Sequence, residues 1–227
     1  MNGDLRWGVL GTADISTEVI PAIQRSRAGT VTAVASRTAA KARKWADRFG
    51  IRTAFGSYDD MLASGEVDVV YVPLPNSMHA KWTIRALEAG LPVLCEKPLA
   101  ATADEANQVA DASRRTGLFV MEGFMYRFHP LWRRVRDLVE DGTIGELATI
   151  DAVFTFFLDD RASIVTSAEL AGGALMDVGC YPVNLSRWMA GAEPGRVAAF
   201  ERGSAVDDRW WACWTSRTGS WRGSRPA

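Results

Sequence analysis

Apolar residues in the first half of the chain fall in short unbroken runs rather than in alternation. LRWGVL at 5–10, VTAVA at 31–35, VDVVYV at 67–72, PVLC at 92–95 and LFVME at 118–122 have the length of strands. Between them, positions 14–27, 39–49, 79–89 and 103–116 carry helical spacing. Two of these stretches run into Gly90 and Gly117, and glycine suits the left-handed turn that closes a helix. Strands alternating with helices of that length need right-handed crossovers, which predicts a mostly parallel sheet. Continuous apolarity means that helices cover both of its faces. The fold predicted for residues 1–123 is therefore α/β, a doubly wound parallel sheet.

The pattern changes beyond 123. Positions 131–140 have helical spacing. ELATIDAVFTFFL at 146–158 is β-branched and aromatic and predicts a long strand. Positions 174–190 are helical up to Gly191, and RVAAF at 196–200 predicts another strand. One or two strands do not make a stable sheet, so 124–208 is expected to be an incomplete α+β domain.

Composition narrows the function classes. Of 227 residues 48% are hydrophobic and 23% charged, which excludes wholesale disorder. No apolar run approaches the roughly 18–20 residues of a membrane-spanning helix, so no membrane partner is expected. A net charge of −1 supplies no basic field for nucleic acid. The first residues, MNGDLRWGVLG, lack the pattern of a secretory signal. Cys95, Cys180 and Cys213 lie far apart and there are two histidines, so neither a disulfide framework nor a zinc site is expected. A reducing cytoplasm fits.

The first strand runs into Gly11-Thr12-Ala13-Asp14-Ile15-Ser16 and then a helix, a variant of the GxGxxG turn of Rossmann-type domains. Gly11 permits the tight turn, Ala13 lets the backbone approach a pyrophosphate, and Ser16 is small enough for helix–sheet contact. The helix start can then hold phosphate oxygens. At the end of the second strand, where an acid would bind the ribose 2′-hydroxyl of NAD, the chain has Ser36-Arg37-Thr38. A guanidinium between two hydroxyls suits a 2′-phosphate, so NADP is expected and NAD remains possible. Arg37 as a plain solvated loop arginine is the alternative.

Two further segments follow strands of the sheet, where the ligand crevice of such folds lies. They are Pro73-Leu74-Pro75-Asn76-Ser77-Met78-His79 and Glu96-Lys97-Pro98. With the later Gly172-Gly173 and Asp177-Val178-Gly179-Cys180-Tyr181, they make the chain resemble the Gfo/Idh/MocA family from about residue 5 to about 208. The resemblance is greatest to the branch with tyrosine at position 181, which includes dihydrodiol and aldose dehydrogenases. It implies hydride transfer between nicotinamide and a C–OH carbon of a sugar, polyol or diol. Tyr181 would be the acid/base on the substrate oxygen, Lys97 the cation that lowers its pKa, and Asp177 an orienting carboxylate one helical turn away. Pro73, Asn76, His79, Glu96 and Lys97 would line the coenzyme, and Arg127 and Asn184 the substrate; His129 is a further candidate. Structural roles are open for each, including a surface position for Lys97 and a core position for Tyr181. The family also implies a homo-oligomer, which is doubtful for a chain that lacks much of the second sheet. A coenzyme-binding sensor without turnover, or a non-functional fragment, is the competing class.

Arginine outnumbers lysine, since only Lys41, Lys44, Lys81 and Lys97 are lysines among 26 basic residues; this suggests GC-rich codons. From 209 to 227 the resemblance stops, no strand period is expected, and four tryptophans crowd positions 210–221. Tryptophan has one codon. With GC-rich codons elsewhere, reading from the third base of each codon turns this stretch into VVGVLDFEDGLVARFEA, two apolar runs around an acidic turn. The expectation is that 209–227 is an aberrant, frameshifted tail on a truncated second domain.

Overall fold

The computed structural model describes residues 5–27, 29–158, 163–215 and 221–224. The chain divides into two compact units, Met1–Gly123 and Phe124–Ala227.

The first unit is built on six parallel strands. In chain order its elements are β1 (Leu5–Leu10), α1 (Ser16–Arg25), β2 (Gly29–Ala35), α2 (Ala39–Phe49), β3 (Thr53–Phe55), α3 (Tyr58–Leu62), β4 (Val69–Val72), α4 (Asn76–Glu88), β5 (Val93–Cys95), α5 (Ala103–Thr116) and β6 (Val120–Glu122). The strands lie in the order β3-β2-β1-β4-β5-β6, so the winding reverses between β1 and β4. That reversal opens a crevice beyond the carboxyl ends of the strands. Neighbouring residues are buried on opposite faces. Leu10, Val70 and Val72 pack with Trp82, Leu87 and Met61, while Val9, Val34 and Tyr71 pack with Ile20 and Ala46. This is why the strands read as unbroken apolar runs. Burying each such side chain contributes about 1.5–3 kcal/mol. Thr38, Ser57 and Thr102 cap α2, α3 and α5 by accepting from the amides of Lys41, Asp60 and Glu105. The sequence pattern misses β3 and α3, which at three and five residues are too short to show a period.

The second unit contains α6 (Pro130–Glu140), β7 (Asp151–Ala152), α7 (Cys180–Ala190), β8 (Arg196–Gly203), β9 (Asp207–Thr215) and β10 (Trp221–Ser224). Its four strands are ordered β7-β10-β9-β8. Two expectations are corrected here. The long strand at 146–158 shrinks to the two residues of β7, because the described residues give 153–158 no neighbouring strand to bond with. Val153, Phe154, Phe156, Phe157 and Leu158 are left exposed. The segment after 208 does form strands. β9 pairs antiparallel with β8 along its length, and Trp210, Ala212 and Trp214 alternate onto the buried face against Ala174 and Val183. Chemically unusual residues still satisfy a period of two when a neighbouring strand supplies the hydrogen bonds.

Candidate coenzyme and proton-transfer sites

The glycine turn sits at the carboxyl end of β1. Gly11 has φ +110°, and a Cβ there would lie 2.8 Å from the Leu74 side chain. Only glycine holds this turn without strain. The Gly11 amide donates to the Ala35 carbonyl (2.8 Å), which ties the turn to β2. The next amides, of Thr12, Ala13, Asp14 and Ile15, have no acceptor among the described residues. Asp14 and Ile15 are exposed and Ser16 is fully buried with its hydroxyl unpartnered. Free amides at a helix start, with small residues behind them, fit an anionic phosphate group. Ser36 is buried, its amide donating to the Phe55 carbonyl (3.0 Å). Arg37 is exposed and makes no ion pair among the described residues, so its guanidinium is available for an anion. These residues fit a dinucleotide with an added phosphate.

Lys97 is half-buried just beyond β5, in a segment held from several sides. The Tyr71 hydroxyl donates to Glu96 Oε1 (2.7 Å) and the Leu99 amide to Glu122 Oε1 (2.8 Å). The sequence reading passes over Tyr71 and Glu122. Their signal was weak: a hydroxyl and a carboxylate inside or ending apolar strands. Pro73 is buried, and Asn76 is half-buried at the start of α4. His79, expected to line the coenzyme, is buried. Its ring is 1% exposed, with Nε2 2.6 Å from the Leu74 carbonyl and Nδ1 2.7 Å from the Pro98 carbonyl. Both nitrogens are committed to backbone, which leaves none for a ligand. Cys95, fully buried below this loop, has its thiol pushed up to about 12 by burial, so it stays protonated and inert.

In the second unit, the helix that carries Asp177 and Tyr181 begins with a π-helical turn, Leu175–Gly179, and continues as α7. The simple one-turn spacing expected between Asp177 and Tyr181 is therefore corrected, since a π turn is wider than an α turn. Two contacts shape it. The Leu175 amide donates to Asp207 Oδ2 (2.7 Å), and a Cβ on Gly179 would lie 1.8 Å from Trp210 Nε1. Turns of this kind are frequent at functional sites. The Tyr181 ring lies among Phe124, Tyr126 and Phe154, at centroid distances of 5.3, 6.1 and 5.4 Å. Its hydroxyl is 3.5 Å from the Met125 sulfur. Asn184 accepts from the Tyr126 hydroxyl (2.5 Å), and Arg127 stands over the Trp188 ring (5.2 Å). Both proposed substrate contacts thus have partners within their own unit. Tyr126 lies next to Arg127 in the sequence, yet its bond to Asn184 shows only in three dimensions. His129 caps α6, accepting from the Leu131 amide (3.1 Å). Among the described residues no cluster of His, Cys, Asp or Glu could hold a metal, and no helix is long and apolar enough to cross a membrane.

A doubly wound parallel sheet with a phosphate-ready first turn defines a dinucleotide-binding protein. Residues 5–124 match the family profile described as oxidoreductase family, NAD-binding Rossmann fold, and residues 132–220 match the Gfo/Idh/MocA C-terminal domain. The chain belongs to the Gfo/Idh/MocA oxidoreductase family. The second match runs past residue 208, where the sequence reading lost the resemblance. D-xylose 1-dehydrogenase (NADP(+)) 2 of Haloferax volcanii is 47% identical over 197 residues, 86% of this chain and 60% of that protein. Trans-1,2-dihydrobenzene-1,2-diol dehydrogenase of Xenopus laevis is 34% identical, covering 89% of this chain and 63% of its own. Among solved structures, the 3-ketoreductase KijD10 from Actinomadura kijaniata, in complex with NADP and TDP-benzene, superposes with a TM-score of 0.91. It is 36% identical, over 98% of this chain and 69% of that one. The chain spans about three fifths of the length of the curated relatives it matches.

Proposed function

We propose that the protein is an NADP-dependent oxidoreductase that moves a hydride between nicotinamide and a C–OH carbon of a sugar, polyol or diol. The observation that carries this reading is the Gly11 turn, with four amides that lack acceptors and Arg37 free for a 2′-phosphate. The relatives point the same way. One is named for NADP, one reduces a keto group in a structure that holds NADP, and one is named for a diol. Bound nicotinamide supplies the hydride donor or acceptor. The chain's residues hold geometry and move the accompanying proton. In the oxidative direction Tyr181 takes the proton of the substrate hydroxyl as its carbon gives up hydride. In reduction Tyr181 returns it. A free phenol has a pKa of about 10, so this step needs a cation, the task that the family resemblance implies for Lys97. Asp177 orients the reacting groups. Tyr126, bonded to Asn184 and packed on Tyr181, keeps that phenol from turning away.

The test uses the 227-residue protein. Calorimetry with NADP and NAD should give heat with both and tighter binding for NADP. Turnover is then followed with aldoses, diols and keto sugars. Lys97→Ala and Tyr181→Phe should still bind coenzyme and lose about 10²–10⁴-fold in kcat, the usual contribution of acid–base catalysis. Failure of the wild type to bind either coenzyme would overturn the reading.

A further inference from the structure

We propose that His79 is a positioning residue: its imidazole, protonated on both nitrogens, bolts the Leu74 loop to the Pro98 loop and so holds Lys97 in register with the glycine turn. The inference rests on the reading above only in assigning Lys97 a catalytic task. The geometry is independent of it.

The ring is buried in the first unit and its two partners lie on different loops. Nε2 faces the carbonyl oxygen of Leu74, at the carboxyl end of β4, and Nδ1 faces that of Pro98, after β5. Both partners are acceptors. A neutral imidazole has one N–H and one lone pair. In either neutral tautomer a lone pair would face a carbonyl oxygen at 2.6 or 2.7 Å, a repulsive contact. Only the doubly protonated ring satisfies both. Burial opposes this cation and pulls the imidazole below its ordinary value. The two carbonyls and the Glu96 carboxylate act in its favour, and Lys97 acts against it. Charge-assisted donation to two oxygens is the strongest stabilisation available there.

What the bolt joins gives it a function. Leu74 packs under Gly11, so its loop supports the phosphate turn. Pro98 follows Lys97 directly, and the Tyr71–Glu96 and Leu99–Glu122 bonds grip the same segment on either side. His79 is the side chain that connects this gripped segment to the loop under the glycine turn.

The test begins with the wild type. The chain has two histidines, His79 and His129, so ¹⁵N-histidine labelling gives two imidazoles and His129→Gln assigns them. In long-range ¹H–¹⁵N spectra across mildly acid pH, both nitrogens of His79 should carry protected protons. One bare nitrogen throughout that range would overturn the proposal, and this readout needs no turnover. His79→Gln, which can donate to one carbonyl but not bridge two, should lose up to about 100-fold in kcat, as expected for a misplaced reacting group. Its coenzyme Kd should move far less. Unchanged kcat, or a Kd that rises while kcat holds, would also overturn it. If the variant fails to fold, the labelled wild type still decides. If Lys97→Ala keeps full activity, the functional reading fails while the spectrum still reports on the bolt.

Discussion

At the scale of single residues, the chain uses the same side-chain types for opposite purposes, and surroundings decide which. Arg37 and Arg6 show this. Arg37 follows β2, exposed and without a carboxylate partner among the described residues. Arg6 is engaged by Asp68, with Nε and Nη2 at 3.0 and 2.6 Å from its two carboxylate oxygens. Arg37→Ala should therefore weaken NADP binding about 10–100-fold, the range for loss of a charged hydrogen bond, and leave NAD binding nearly unchanged; titration calorimetry with both coenzymes checks this. Equal loss for both would remove Arg37 from the 2′-phosphate site. The glycine turn, Arg37, Lys97, Asp177 and Tyr181 are the site residues that chemical identity alone singles out in the sequence. His79 was singled out from sequence, but its contacts with two carbonyls were not legible. Which atoms face a buried ring depends on loops 19 residues apart in one case and five in the other.

At the scale of elements, local signals account for the starts and stops of helices. Thr102 caps α5 and Gly117 closes it in the left-handed conformation. Thr102→Ala should cost about 1 kcal/mol of unfolding free energy, measurable by urea denaturation. The β1–β4 pair carries a charge clip at its amino end. Arg6 holds the Asp68 carboxyl below its ordinary value, chiefly through the side-chain hydrogen bond. A carboxylate with a depressed folded pKa stabilises the fold above its unfolded pKa, and that stabilisation is lost as pH falls through the folded value. Unfolding midpoints of Asp68→Asn should therefore start lower at neutral pH and fall less steeply into acid than those of the wild type. Parallel acid limbs for the two proteins would contradict this. The π turn before α7 was not legible, and the residues it touches, Asp207 and Trp210, lie on a strand far along the chain.

At the scale of the whole molecule, the two units differ in how well sequence and structure agree. In the first, pattern, turn chemistry and burial point to one answer. In the second, β9 packs Trp210 and Trp214 inward, yet the Trp210 indole N–H is buried without an acceptor among the described residues and its ring sits hard against Gly179. A smaller apolar side chain would satisfy that position better, and the shifted reading places valine there. The coding DNA is expected to yield VVGVLDFEDGLVARFEA from codon 209 in the alternative frame, and sequencing it decides. A protein made in that frame should show a higher thermal midpoint than the 227-residue chain; no gain would count against the shift. The residue order alone determined the parallel sheet, its two covered faces, the glycine turn and the charge at the end of β2, since each depends on neighbours within a few positions. Only the tertiary structure decided that 207–215 is a strand, that 153–158 is not, and that His79 faces two carbonyls. Strand pairing and burial join residues distant in the chain, and no local pattern records those partners.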